Sequence, residues 1–308
     1  EVQLEPGLIG ALKANVDRDR RPGRFLLTGS ADLLRVAGVQ DSLAGRAETV
    51  VLAPLSQGEL RGQVETFIDA AFSGFERPAQ FEPISRHEYL DVAMLGGYPE
   101  VQARTNPARR RQWFASYLER IVRRDAVDLG GVRRVDLLAR LLRVFAARGA
   151  AELNVASLAN EIGAPATTLP PYIDLLEMIY LITQVPAWSR NLGERVIRRP
   201  KVVVNDTGLL AGLTNLTADA MQVGARGSNA AGGVLEAFVI GELLRAIPWS
   251  QTRPSLYFFR DRDGRDDGDR HDRVVDDGDG DDGDDHNDDD DDDLTSSWDA
   301  RRYRVAAD

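Results

Sequence analysis

RFLLTGSADLLRVAGVQDSLAGRAETVVLAPLSQGEL, residues Arg24 to Leu60, is the stretch on which the reading of the fold turns. Phe25, Leu26 and Leu27 form a short apolar run between Gly23 and Gly29, the pattern of a buried strand that carries Thr28 and Ser30 to its C-terminal end. A second run, Thr49 to Leu52, stops at Pro54, and Ala31 to Leu43 between them has helical spacing. Strand, helix, strand in that order predicts a βαβ unit of a parallel sheet, whose ligands bind beyond the carboxyl ends of the strands. The expected fold class is therefore α/β.

Further landmarks follow in order: SLAGR (Ser42 to Arg46), APLSQGEL (Ala53 to Leu60), GGYPE (Gly96 to Glu100), NDTGLL (Asn205 to Leu210) and VLEAFVIGELL (Val234 to Leu244). Together with Thr28-Gly29-Ser30 they resemble a large group of bacterial and archaeal AAA-superfamily ATPases that carry a C-terminal domain of unknown function, often nuclease-like. The similarity covers about residues 1 to 265, and the ordered combination is far more specific than any one motif. It implies four segments, a partial ATPase core with a P-loop-type parallel sheet (1–60), a helical lid (61–150), a winged-helix-like segment (151–205) and a remnant nuclease-like α/β domain (206–260), and composition adds an Asp-rich disordered tail (261–308).

In that family a phosphate-binding loop and a strand ending in Asp-Glu precede the helix read here at Leu8 to Val16, and Glu1 resembles the last residue of that strand. The resemblance implies that Glu1 polarises the attacking water beside magnesium, that Thr28 or Ser30 senses the γ-phosphate, and that Arg46 neutralises transition-state charge on a neighbouring subunit. For Arg46 a surface ion pair ahead of a strand is an equally open reading. ATP and magnesium are the cofactors of intact relatives. Cradling a triphosphate requires glycines, a helix N-terminus and a lysine beside Ser or Thr, because backbone N–H groups and one cation neutralise the phosphates. The only lysines, Lys13 and Lys201, precede Ala14 and Val202. The expectation is that the polypeptide as it stands neither binds nor hydrolyses ATP and holds no cofactor.

An apolar content of 43% over 308 residues is enough for two or three cores. With no cysteine, disulfides and thiolate metal sites are excluded. Neither a signal peptide nor an 18-residue apolar run is present, so a cytoplasmic chain without a membrane partner is expected; a targeting segment upstream of Glu1 stays open, as the start reads as truncated. The net charge of −11 misleads, because residues 261–293 hold 19 Asp against 4 Arg. The remainder carries 34 basic against 30 acidic residues, a mildly basic body of +4.

Trp113, Phe114, Tyr117, Leu118, Ile121 and Val122 recur at helical spacing from about Pro107 to Asp125, forming an apolar stripe read as a core face. Asp136 to Ala147 is a second amphipathic helix, ended by Gly149. Two short helices, carrying Leu158 and Ile162 and then Leu169, Tyr172, Leu176 and Ile179, are separated by Gly163-Ala164-Pro165, a helix-turn-helix layout in which Thr167 or Thr168 would cap the second helix. Thr167 to Asp174 offer no cation or amide to read base edges. Arg190, Arg195, Arg198, Arg199 and Lys201 lie where a wing hairpin is expected, and suit weak, nonspecific contact with DNA phosphates.

Glu236, on the helix from Gly233 to Leu244 with Glu242 at i+6, matches the first metal-holding position of nuclease-like relatives. The expected Asp and Glu-x-Lys from the following strands are missing, so a nuclease is not expected. Beyond Asp261 the chain lacks the apolar residues needed to offset ordering entropy. Asp277, Asp279 and Asp281 begin like a calcium loop, yet Asp282 and Asp288 stand where Gly and Glu are required, leaving only loose divalent-ion binding. The abrupt end of the resemblance at Arg265 suggests a decayed or out-of-frame gene end. Three functional classes remain: a fragment of an AAA-type ATPase inactive as given, a nonenzymatic DNA-associated regulator, and a module that contacts itself or a protein partner.

Overall fold

The computed structural model describes residues 6–32, 35, 43–74, 83–122, 134–189, 191–222, 224–259 and 303–306. Helix α1 (Pro6–Arg18) opens it, and the short helices α2 (Gln57–Leu60) and α3 (Phe67–Phe72) follow. Next come α4 (Arg86–Leu95), α5 (Pro99–Gln102), α6 (Pro107–Arg120) and α7 (Val135–Arg148). Among the described residues no helix is long and apolar enough to cross a membrane.

The centre of the core is α7, where Leu137, Leu138, Leu141, Leu142 and Phe145 recur at i, i+1, i+4, i+5 and i+8 and are all buried. At about 1.5–3 kcal/mol for each large apolar side chain removed from water, this stripe contributes substantially to holding the helices together. Gly149 ends the helix at φ +61°, a conformation a side chain would resist. The α6 stripe predicted from spacing is observed: Phe114 is buried, Trp113 and Tyr117 stack at 5.0 Å, and the Tyr98 and Tyr117 hydroxyls lie 3.0 Å apart.

Strand β1 (Ala151–Glu152) leads into α8 (Val155–Ile162), whose first turn is capped by the Asn154 side chain accepting from Ser157 N at 3.1 Å. Gly163, in the left-handed region, stops α8, and a 3-10 turn (Ala166–Thr168) delivers α9 (Pro170–Met178). The cap assigned to Thr167 or Thr168 is not formed: both belong to the 3-10 turn, and Leu169 precedes α9 with no side-chain bond. Pro170 and Pro171 occupy the first turn, where their missing N–H groups have no helical partner to lose. Strand β2 (Ile182–Val185), helix α10 (Leu192–Ile197) and strand β3 (Lys201–Val204) complete a three-stranded sheet in the order β1-β3-β2. All its pairings are antiparallel, with Ile182 opposite Val204 and Ala151 opposite Val202.

Helices α11 (Thr207–Thr214), α12 (Ala218–Gln222) and α13 (Gly224–Ala246) follow, then β4 (Ser255–Phe258). Helix α13 starts well before the Gly233 boundary inferred from sequence. β4 pairs antiparallel with β5 (Tyr303–Ala306), four residues of the tail expected to be disordered; the rest of 261–308 lies outside the described residues.

The chain is thus mixed helix and sheet, as expected for α/β, but the sheets differ from expectation. Residues 25–29 and 47–53 form no strand, and Leu26 and Leu52 are each 91% exposed and Val50 81%. A strand is stabilised by a neighbour that takes its N–H and C=O groups, and among the described residues nothing ladders with either stretch. The helix expected at Ala31 to Leu43 falls mainly outside the described residues. Both extended stretches nevertheless start from one place. Arg24 Nη1 donates to the carbonyls of Asn15 (3.1 Å) and Asp19 (2.7 Å), and Arg46 pairs with Asp17 through Nε at 2.7 Å, all at the end of α1.

Candidate functional site

Four of the landmark motifs converge on one buried node. At the N-terminus of α2 each of the first three N–H groups finds a different side chain: Gln57 N donates to Glu242 Oε2 (2.7 Å), Gly58 N to Glu65 Oε1 (3.1 Å) and Glu59 N to Ser56 Oγ (3.1 Å). Ser56 N in turn donates to Glu59 Oε2 at 2.8 Å, closing a capping box. Only residues 57–60 are helical, so these acceptors, and not helix length, hold the turn in place.

Glu242 extends the node into α13. Its Oε1 accepts from Arg245 Nη1 at 2.8 Å, and Arg245 Nη2 donates to the Asn205 carbonyl at 2.9 Å and lies 3.5 Å from Asp206 Oδ2. Asp206 is 1% exposed and works in two directions. Oδ1 accepts from Leu209 N (2.9 Å), capping α11, and Oδ2 accepts from Gly97 N (2.7 Å) in the GGYPE loop. Gly97 O accepts from Leu55 N at 2.9 Å, which returns the path to APLSQGEL. The glycines are required by this crowding: a Cβ on Gly96 would overlap the Asp206 carboxylate, one on Gly97 the Leu55 backbone, and one on Gly208 the Leu95 carbonyl.

Two carboxylates and one guanidinium share this interior, and burial dominates the titration of the two carboxyls. Burial pushes the Asp206 carboxyl up despite Arg245 and the amides of Gly97, Leu209 and Gly208. Glu242 is also raised by burial, with Glu65 adding to the shift and the Gln57 amide and Arg245 opposing it. Burial, the Tyr117 hydroxyl and Asp206 hold the Tyr98 phenol well above its ordinary value. Arg245 Nε is buried without a hydrogen-bond partner, the one such side-chain atom among the described residues. A fork fixed by three acceptors on its other nitrogens cannot turn to satisfy it.

The residues chosen from sequence fall elsewhere. Glu1 lies outside the described residues, while Thr28 and Ser30 are exposed at the end of their extended stretch. Arg46 is engaged with Asp17, the ion-pair arrangement held open for it, and that pairing lowers the Asp17 carboxyl. Arg190 is outside the described residues and Arg199 is exposed. Arg195 is turned inward: its guanidinium sits 3.8 Å over the Trp188 ring and its Nε donates to the Ser189 carbonyl at 2.5 Å. Arg198 donates to the Trp188 carbonyl at 3.5 Å, and Lys201 pairs with Glu236, the residue matched to a metal position. Three of the five cations therefore hold the turn around Trp188 and β3. Among the described residues no three His, Cys, Asp or Glu side chains gather as a metal would require.

Neither lysine of the chain sits in a phosphate-cradling position. Lys13 is a half-buried residue of α1 and Lys201 is bound to Glu236, so neither stands at a glycine-lined turn. Sequence reading passed over Asp206, Arg245 and Gly97 as site residues. The available signal was the Asp before Thr-Gly-Leu-Leu, a good N-cap; Arg245 lies one residue past the quoted helix motif.

Comparison with known proteins finds two matched segments. Residues 1–61 match the model of an AAA domain, and residues 86–220 match a domain of unknown function (DUF8612). Two curated relatives, an uncharacterized protein of Mycobacterium tuberculosis (Rv2008c) and one of Mycobacterium bovis (Mb2031c), are each 29% identical over 210 residues, covering 68% of this chain and 42% of the relative. The chain thus spans less than half the length of the curated relatives it matches. No solved structure matches. The first match supports an AAA-type ATPase-like origin for the N-terminal segment.

Proposed function

We propose that this chain is the readout half of an AAA-type ATP-dependent protein: residues 1–61 supply the γ-phosphate-sensing edge of a nucleotide domain, and the helical body from Arg86 onward receives its signal. The observation that carries this reading is the convergence of APLSQGEL, inside the AAA match, with GGYPE, NDTGLL and α13 on the Asp206–Arg245–Glu242 node. On this reading the exposed stretches 25–29 and 47–53 are strands awaiting neighbours, with Thr28 and Ser30 at their ligand end. The 308 residues lack a phosphate-cradling lysine, so alone they neither bind nor turn over ATP.

The segment β1-α8-α9-β2-α10-β3, with its β1-β3-β2 order, supports a winged-helix reading of residues 151–205. The inward use of Arg195 and Lys201 favours a protein-contact role for it over phosphate binding, with Arg199 the exposed cation among the described members of the group.

Titration calorimetry with magnesium-ATP tests the proposal on this chain and on a longer form carrying a Gly-rich, lysine-bearing loop upstream. The expected result is heat of binding from the longer form alone. Nucleotide turnover by the 308-residue chain, or no binding by the longer form, overturns the reading.

A further inference from the structure

The end of α9 is completed by a residue far away in sequence. The last four carbonyls of an α-helix have no partner within it and must be satisfied from elsewhere. Here Leu175 O accepts from Ile179 N (3.0 Å), Leu176 O from Leu181 N (3.0 Å) and Glu177 O from Tyr180 N (3.0 Å). Met178 O accepts from Asp32 N at 2.9 Å. Asp32 stands two residues after Ser30, and Ala31 between them is 4% exposed, buried in the main core. A second tie lies alongside, where Arg35 Nη1 meets Glu177 Oε2 at 3.1 Å.

The path continues beyond the helix. Tyr180 adopts φ +57°, unusual for a residue with a side chain, and its carbonyl accepts from Asn205 Nδ2 at 2.9 Å. Asn205 N donates to the Leu181 carbonyl at 3.1 Å, and Arg245 holds the Asn205 carbonyl. A continuous run of hydrogen bonds therefore leads from the loop after Thr28 and Ser30, through the end of α9, to the residue adjoining Asp206.

We propose that this loop is a transmission joint: by lending Asp32 N–H to Met178, it makes the order of the α9 end and the Tyr180 turn depend on where Ser30 sits. The joint rests on the nucleotide-domain reading only for what displaces Ser30; the linkage itself is a property of this chain. A ligand that draws Ser30 outward withdraws the cap from Met178, and α9 and the Asn205 end of β3 loosen together. Coupling of this kind needs a two-state element, and the α9 terminus is assigned that role.

Amide hydrogen exchange on the whole chain tests it, comparing the parent with Asp32→Pro, which removes the donor, and with the milder Arg35→Ala and Glu177→Gln. The expected result is exchange at Ile179, Tyr180 and Leu181 faster by about tenfold in Asp32→Pro and a few-fold in the other two, with amides of Val135–Arg148 unchanged. Because Arg35→Ala and Glu177→Gln change one exposed and one half-buried side chain and leave the backbone donors intact, they remain readable if the proline variant fails to fold. Exchange at 179–181 within twofold of the parent in both side-chain variants, or equal acceleration throughout α7, overturns the proposal. Nucleotide binding is scored by the separate calorimetric experiment, so the two readings can fail independently.

Discussion

Replacing Asp206 is the sharpest probe of the buried node. Asp206→Ala removes the cap of α11, a loss of about 1 kcal/mol, and leaves Gly97 N buried without an acceptor, about 1–3 kcal/mol more. It also strips one of two carboxylates from Arg245, whose side chain is 6% exposed. Breaking a buried pair outright costs about 3–5 kcal/mol, but Glu242 still holds this guanidinium at 2.8 Å, so that contribution falls at the low end. Since these terms overlap in one network, the expected total is about 3–5 kcal/mol. Asp206→Asn keeps the shape and one acceptor oxygen, but must present its amide to either Gly97 N or Leu209 N, so about half that loss is expected, roughly 2 kcal/mol. Urea unfolding followed by far-ultraviolet circular dichroism and tryptophan fluorescence measures both variants, and an unchanged denaturant slope confirms that the comparison is of stability. An alanine variant within about 1 kcal/mol of the parent, or an asparagine variant as damaged as the alanine one, would refute the account of the node.

Two further outcomes follow from the same geometry. Gly97→Ala places a Cβ against the Leu55 backbone and should cost at least 1–3 kcal/mol, whereas Gly232→Ala, in an exposed helical position with nothing within 4 Å, should gain about 0.5–1 kcal/mol; equal effects in chemical denaturation would contradict the packing described. The pH dependence of the Asp206→Asn penalty has a defined sign. A carboxyl raised by burial binds more protons folded than unfolded, so its contribution to stability is full below the ordinary carboxylate value of about 4 and is lost as pH rises through the folded value. The asparagine variant lacks that loss, so its penalty should shrink from about pH 4 toward neutrality; a penalty that grows with pH would be the wrong sign.

The amphipathic helices were legible from spacing because an α-helix repeats every 3.6 residues and the burial of one face is written along the chain itself. Leu137 to Phe145 and Trp113 to Val122 show that period, and both lie on core-facing helices. Gly149, Gly163 and the Pro170-Pro171 pair marked helix boundaries for equally local reasons, the sterics of their own backbones. The strands expected at Phe25–Leu27 and Thr49–Leu52 were a different kind of inference. Their apolar composition suits a strand, but a ladder exists only when a neighbour supplies the other half of each hydrogen bond, and the sequence of a strand does not contain its partner.

The motifs of the node were visible as words, and what joins them was not. That Asp206 would cap α11 follows from an Asp ahead of Thr-Gly-Leu-Leu. That its second oxygen would hold Gly97, 109 residues away, with Arg245 bridging to Glu242 and so to Gln57, depends on the packing of α4, α11 and α13 around α7. The inward turn of Arg195 over Trp188 and the pairing of Lys201 with Glu236 are likewise decided by neighbours brought in by the fold. By itself the sequence determined the principal amphipathic helices and the turns that end them. Which charges meet in the interior was left to the tertiary structure, because a buried ion takes whichever opposite charge the packing places within reach.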